Sequence, residues 1–101
     1  MRVSVVLCTY TMDMYDHFQE AAESVLDQTY SEVELVIVVD GSDKVCETVE
    51  SDYGDVEDVI IHCNDENVGL LKSRNKGAEI ATGDVVAFID DDAIADPEWV
   101  S

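Results

Sequence analysis

Val3-Ser4-Val5-Val6-Leu7-Cys8-Thr9-Tyr10 opens with an almost unbroken apolar, β-branched run that passes directly into polar residues. A strand with one wet face alternates polar and apolar residues, whereas one covered by helices on both faces does not, so this run predicts a buried strand of a parallel sheet. Glu34-Leu35-Val36-Ile37-Val38-Val39 and Val85-Val86-Ala87-Phe88-Ile89 repeat the pattern, and Val59-Ile60-Ile61-His62 is a shorter version. Between the first two runs, Phe18, Ala21, Ala22, Val25 and Leu26 fall on one helical face, with Asp16 placed to cap the helix. Ser42 to Ser51 predicts a short acidic helix, and Leu70 to Ala81 another, whose Gly77, Ala78 and Ala81 offer a small-residue face and which Gly83 is expected to stop. Asp96-Pro97 reads as the start of one more helix. Its closeness to Ser101 is the mark of an incomplete chain, with Trp99 expected to pack on a remainder. Strand and helix in strict alternation define an α/β fold with an open, mostly parallel sheet in a Rossmann-like βαβ arrangement.

The 101 residues suit one domain and leave no room for a second complete one. With 24 acidic against 5 basic residues the formal charge is −19, which excludes nucleic-acid binding through a basic face. A hydrophobic fraction of 47% is too high for an acidic disordered segment. The acids run from Asp13 to Glu98 rather than forming a tail, the distribution expected of a surface adapted to high salt and hence of a halophilic source. No internal repeat, linker or low-complexity segment is present. No apolar run approaches the ~20 residues of a membrane span, and Met1-Arg2-Val3-Ser4 does not read as a signal peptide; the expected location is cytoplasmic, with membrane association only through parts outside this chain. Cys8, Cys46 and Cys63 are odd in number and lack CxxC spacing, so buried free thiols are expected rather than a disulfide or a zinc site. His17 and His62 have no metal-ligand spacing.

Ligands of open α/β sheets sit beyond the carboxyl ends of the strands. Those ends carry Cys8-Thr9-Tyr10, Asp40-Gly41-Ser42-Asp43 and Asp90-Asp91-Asp92. No GxGxxG follows the first strand and no GxxxxGK[ST] occurs, so a glycine loop for phosphate is absent. Three successive aspartates repel one another unless a cation sits between them. Hard carboxylate oxygens suit Mg²⁺ or Mn²⁺, either of which reconciles an anionic site with an anionic diphosphate. The plainer reading is a solvated acidic loop.

The Val3 to Tyr10 run, Ser24-Val25-Leu26-Asp27-Gln28-Thr29-Tyr30, Val39-Asp40-Gly41-Ser42, Asn67-Val68-Gly69 with Ser73-Arg74-Asn75-Lys76-Gly77, and Phe88-Ile89-Asp90-Asp91-Asp92 resemble glycosyltransferase family 2 in order and spacing. The resemblance spans almost the whole chain. It implies a GT-A fold, a nucleotide-sugar donor, a divalent metal and an inverting transfer to an acceptor (glycan, lipid-linked or polysaccharide). By the same resemblance Tyr10 packs on the base and Asp40 accepts a hydrogen bond from it, with the backbone of Thr9 assisting. Asp90 and Asp91 lie toward ribose and phosphates, Asp92 is the main metal ligand with Asp90 beside it, and Arg74 reaches the donor. Each has a plainer alternative: Tyr10 covering the sheet edge, Asp40 serving as a turn residue, Arg74 pairing with a surface carboxylate.

The family's common Pro-Thr-Tyr-Asn is Cys8-Thr9-Tyr10-Thr11 here, and its Asp-Asp-Gly-Ser is Val39-Asp40-Gly41-Ser42. The family's catalytic base lies well beyond the metal motif, so no residue of this chain is assigned that role. Residues 1–101 are therefore expected to be the N-terminal nucleotide-sugar-binding part, without the acceptor-binding half, inactive alone and open to self-association through uncovered apolar surface. The alternatives are a metal- or nucleotide-binding module without transferase activity and a phosphatase of the haloacid dehalogenase type. The latter places Asp-x-Asp after an early strand and expects Thr or Val where this chain has Ile94.

Dispersed acidity makes stability salt-dependent. As the Debye length shrinks from ~10 Å at 0.1 M to ~3 Å at 1 M, self-repulsion of the compact state falls. Thermal melts across a KCl series, at two protein concentrations to separate screening from association, should show a steeply rising midpoint. A flat midpoint contradicts salt adaptation.

Overall fold

The structure, a computed structural model, describes residues 1–28 and 32–90. Its elements are β1 (Val3–Thr9), a 3-10 turn (Met12–Met14), α1 (Tyr15–Leu26), β2 (Val33–Asp40), α2 (Asp43–Tyr53), β3 (Val59–Asn64), α3 (Leu70–Ile80) and β4 (Val85–Ile89). The four strands lie in the order β3-β2-β1-β4. All pair in parallel, with Val3 opposite both Val33 and Val85 and with Asp40 opposite Asn64. The α/β architecture expected from the strand pattern is the one observed. Asp91 and Asp92, Asp96-Pro97 and Trp99, and Thr29-Tyr30 of the second motif lie outside the described residues.

Strand alternation sorts the apolar side chains into two layers. Val5 and Leu7 of β1 with Leu35, Ile37 and Val39 of β2 meet Phe18, Ala21, Ala22 and Val25 of α1 and Val45 and Val49 of α2. Val6, Cys8, Val36 and Val38 face the other way, toward Ile80 and Ala81. α3 lies close on that second face because Gly77 has no side chain: a Cβ there would collide with Val6 Cγ1 and come within 3.2 Å of Val38 Cγ2.

Three local expectations need correction. Asp16 is not the N-cap of α1, because the Thr11 hydroxyl caps the preceding 3-10 turn, which runs directly into the helix. Met14 occupies the cap position and Asp16 the first turn, where its charge still favours the helix N-terminus. Gly83 does not stop α3, which ends at Ile80 with Ala81 already extended at φ −63°, ψ 142°. The chain leaves the helix early because Glu34 accepts from both the amide and the hydroxyl of Thr82, while the amide of Gly83 donates to Ser4 Oγ. Finally, Cys46 and Cys63 form a disulfide with Cα atoms 6.0 Å apart, and of the three cysteines only Cys8, which is buried, lies outside it. Spacing alone could not find the pair, whose cysteines are 17 residues apart and meet only because α2 packs over β3.

Glu34 is 1% exposed, an unusual place for a carboxylate. Burial pushes its pKa up, but the Ser4 hydroxyl, the Thr82 hydroxyl and amide, and the Arg2 guanidinium outweigh burial, and the net shift is downward. The Ser4 bond is 2.6 Å and the Thr82 hydroxyl bond 2.8 Å. A folded-state pKa below the unfolded value of ~4.3 gives stability that is complete above that pH and is lost as pH falls through the folded pKa. Glu34→Gln should therefore cost about 1–3 kcal/mol at pH 7 and flatten the acid limb of stability. Denaturant melts from pH 7 down to pH 3 in molar KCl check this, and a variant with the parent's acid limb contradicts it.

Candidate functional site

The order of the strands creates the site. β1, β2 and β3 step outward with α1 and α2 on one face, and the chain then returns through α3 on the opposite face to place β4 on the far side of β1. α1, which follows β1, and α3, which precedes β4, thus lie on opposite faces, opening a crevice at the topological switch point. A cleft of about 470 Å³ lies there, lined by Thr9, Tyr10, Asp40, Ser73, Arg74 and Asp90 together with Cys8, Asn67, Gly69, Leu70 and Ile89. The structure brings together Thr9, Tyr10, Asp40, Arg74 and Asp90, every sequence-selected residue within the described range. Asp91 and Asp92 are not described.

Asp40, the last residue of β2, is 6% exposed. Its Oδ1 accepts from the amide of Val68 at 2.8 Å and from Asn64 Nδ2 at 3.0 Å, and its Oδ2 accepts from the amide of Gly69 at 2.9 Å. Burial raises its pKa, but these bonds, with the Ser73 hydroxyl, lower it further, so it is ionised at neutral pH. Gly69, at the N-cap of α3, has no side chain to satisfy the helix start. The strand-borne carboxylate performs that duty from another element. Gly41 follows at φ +67°, and a Cβ there would run into the backbone of Glu66 and Asn67. Asp-Gly is thus required twice over, once for the turn and once so that the 66–67 backbone can lie against it.

Arg74 projects from α3 across the cleft to β4, where its Nη2 donates to Asp90 Oδ1 at 2.6 Å and its guanidinium stands 5.9 Å from the Phe88 ring centroid. Tyr10 is 59% exposed at the mouth. Thr9 Oγ1 is buried with no hydrogen-bond partner among the described residues, an unmet polar group in the wall of a cleft. Asn64 is the residue that sequence reasoning missed. It holds both Asp40 and Ser73, the latter at 3.1 Å, and its signal was only that it is a polar residue at the end of β3, which runs two residues past His62.

The parallel sheet with its switch-point cleft is an α/β arrangement whose structural neighbours are of the GT-A class. Residues 4–101 match Glycosyl transferase family 2, and the chain belongs to that family. It is 60% identical over 100 residues to "Glucosyl-dolichyl phosphate glucuronosyltransferase" of Haloferax volcanii, a match covering 99% of this chain and 32% of the relative. It is 33% identical over 97 residues to "Putative glycosyltransferase EpsH" of Bacillus subtilis, covering 96% of this chain and 28% of the relative. Among solved structures it resembles S. aureus TarS 1-349 in complex with UDP-GlcNAc, with a TM-score of 0.83 and 26% identity over 99% of this chain and 29% of that one. Its fold is also that of the mannosyltransferase PcManGT of Pyrobaculum calidifontis, with a TM-score of 0.79 and 24% identity over 93% of this chain and 28% of that one. The chain spans about a third of the length of these two relatives. The Haloferax relative, from a halophile, agrees with the salt-adapted composition. The phosphatase and binding-module alternatives are not favoured.

Proposed function

We propose that residues 1–101 are the donor-binding part of a metal-dependent, inverting glycosyltransferase that moves a sugar from a nucleotide-sugar donor to a lipid-linked acceptor. The observation that carries this reading is the switch-point cleft, lined by the carboxylate of Asp90, the cation of Arg74 and the hydroxyl of Thr9, which has no partner among the described residues. TarS was solved with UDP-GlcNAc, and PcManGT with GDP-Man and Mn²⁺. The acceptor class follows the name of the Haloferax relative, a transferase to glucosyl-dolichyl phosphate. On this reading the enzyme works in the cytoplasm against a membrane-held acceptor.

The exposed ring of Tyr10 is free to stack on the base, beside the wall that Asp40 holds in place. Arg74 is the cation available to the donor phosphates, and exchanging Asp90 for a diphosphate keeps its charge paired. Asp90 and Asp92 offer hard carboxylate oxygens, a donor set that fits Mg²⁺ or Mn²⁺ and would hold such an ion, with Asp91 toward the ribose. The ion supplies positive charge against the leaving diphosphate. The base that takes the acceptor's hydroxyl proton is assigned to the remainder of the protein.

Calorimetry of the full-length protein with UDP and GDP, with Mn²⁺ and with chelator, tests the reading. Chelator or Asp92→Ala should weaken binding at least about tenfold, and Arg74→Ala should do the same through loss of a charge-assisted contact. Because the Arg74–Asp90 pair is exposed, Arg74→Ala should move stability by less than ~1 kcal/mol. Equal affinity with chelator present contradicts the proposal.

A further inference from the structure

The Cys46–Cys63 disulfide lies outside the cleft and plays no part in the transfer chemistry, yet both cysteines sit beside residues that build the cleft wall. Cys63 immediately precedes Asn64, whose Nδ2 holds Asp40 Oδ1 at 3.0 Å and Ser73 Oγ at 3.1 Å. Cys46 lies in the first turn of α2, its amide donating to the carbonyl of Ser42, the residue that caps this helix and ends the Asp40-Gly41-Ser42 turn. The cross-link therefore ties the start of α2, which follows the Asp40-Gly41-Ser42 turn, to the last residues of β3, the strand paired beside Asp40. β3 is an edge strand, paired only with β2 among the described residues, and both cysteines are half-buried, within reach of a reductant.

The geometry points to a reversible thiol–disulfide site at Cys46 and Cys63 that sets the affinity of the cleft for its donor by holding or releasing Asn64. This deepens the donor-site reading and rests on it. A dithiol reductant supplies the chemistry. One of its thiolates attacks a sulfur of the Cys46–Cys63 bond to give a mixed disulfide, and its second thiol displaces the remaining protein sulfur. The protein gains an electron pair and two protons as two thiols, while the dithiol leaves as its own disulfide. Oxidised, the pair pins α2 to β3. Reduced, Asn64 loses that constraint, and with it the clamp on Asp40 and Ser73 loosens.

Free-thiol titration of the unfolded, air-oxidised protein should find one thiol in the described residues, Cys8, and three after dithiothreitol. UDP with Mn²⁺, titrated into both forms of the full-length protein, should bind about three- to tenfold more weakly to the reduced form. A Cys46→Ser, Cys63→Ser double variant should match the reduced protein and ignore dithiothreitol. The Asn64 side-chain amide resonances, followed in the unmutated protein, should shift on reduction and return on reoxidation, which keeps the test valid if the double variant does not fold. Three thiols before reduction, equal UDP affinity in both forms, or an unmoved Asn64 resonance each overturn the inference. If UDP binds neither form, the donor-site reading fails separately, and the Asn64 resonance alone decides whether the disulfide governs the clamp.

Discussion

Two buried carboxylates on one face of β2 seat α3, and the functional cleft depends on that seat. Glu34 and Asp40 are six residues apart, so ~20 Å of strand separates them, and the 11 residues of α3 span ~16 Å. The strand is just long enough for each acid to hold one end of the helix. Glu34 takes the amide and hydroxyl of Thr82 beyond the helix C-terminus, and Asp40 takes the amides of Val68 and Gly69 at its N-terminus. Between them Val36 and Val38 give an apolar floor, onto which Gly77 lowers the helix. Both acids have pKa values lowered by their partners, so both are charged where the protein works, and their charges are spent inside the fold.

That economy matters in so acidic a chain. A formal charge of −19 leaves few cations, and Arg74, one of two arginines, is placed where α3 meets the cleft. On the proposed function an anionic donor approaching this protein meets long-range repulsion, so a local cation such as Arg74 is what a productive site requires. Leu70, which lines the cleft, and Phe88, beneath the Arg74 guanidinium, are exposed apolar side chains.

The strands were legible because unbroken runs such as Val3 to Cys8 have a single physical explanation, burial on both faces. The convergence of Thr9, Asp40 and Asp90 followed from parallel pairing, since residues that end parallel strands meet at one edge. What stayed hidden depends on contacts distant in sequence. The early end of α3 is imposed by Glu34, 48 residues from Thr82, and no local propensity records it. The disulfide depends on the register of β3 against β2, and Asn64 acquires its role only once Asp40 lies opposite it. Asp16 gave way to a cap supplied one turn earlier by Thr11.

Native-state hydrogen exchange in an Asp40→Asn variant tests the clamp most directly. The amides of Val68 and Gly69 have Asp40 as their acceptor, and losing a charged acceptor worth about 1–3 kcal/mol should speed their exchange by roughly 5- to 150-fold. The amides of Val36 and Val38, in the middle of the sheet, should keep their protection. Unchanged exchange at Val68 and Gly69, or an equal loss throughout β2, would contradict the account that this one carboxylate holds the wall of the cleft.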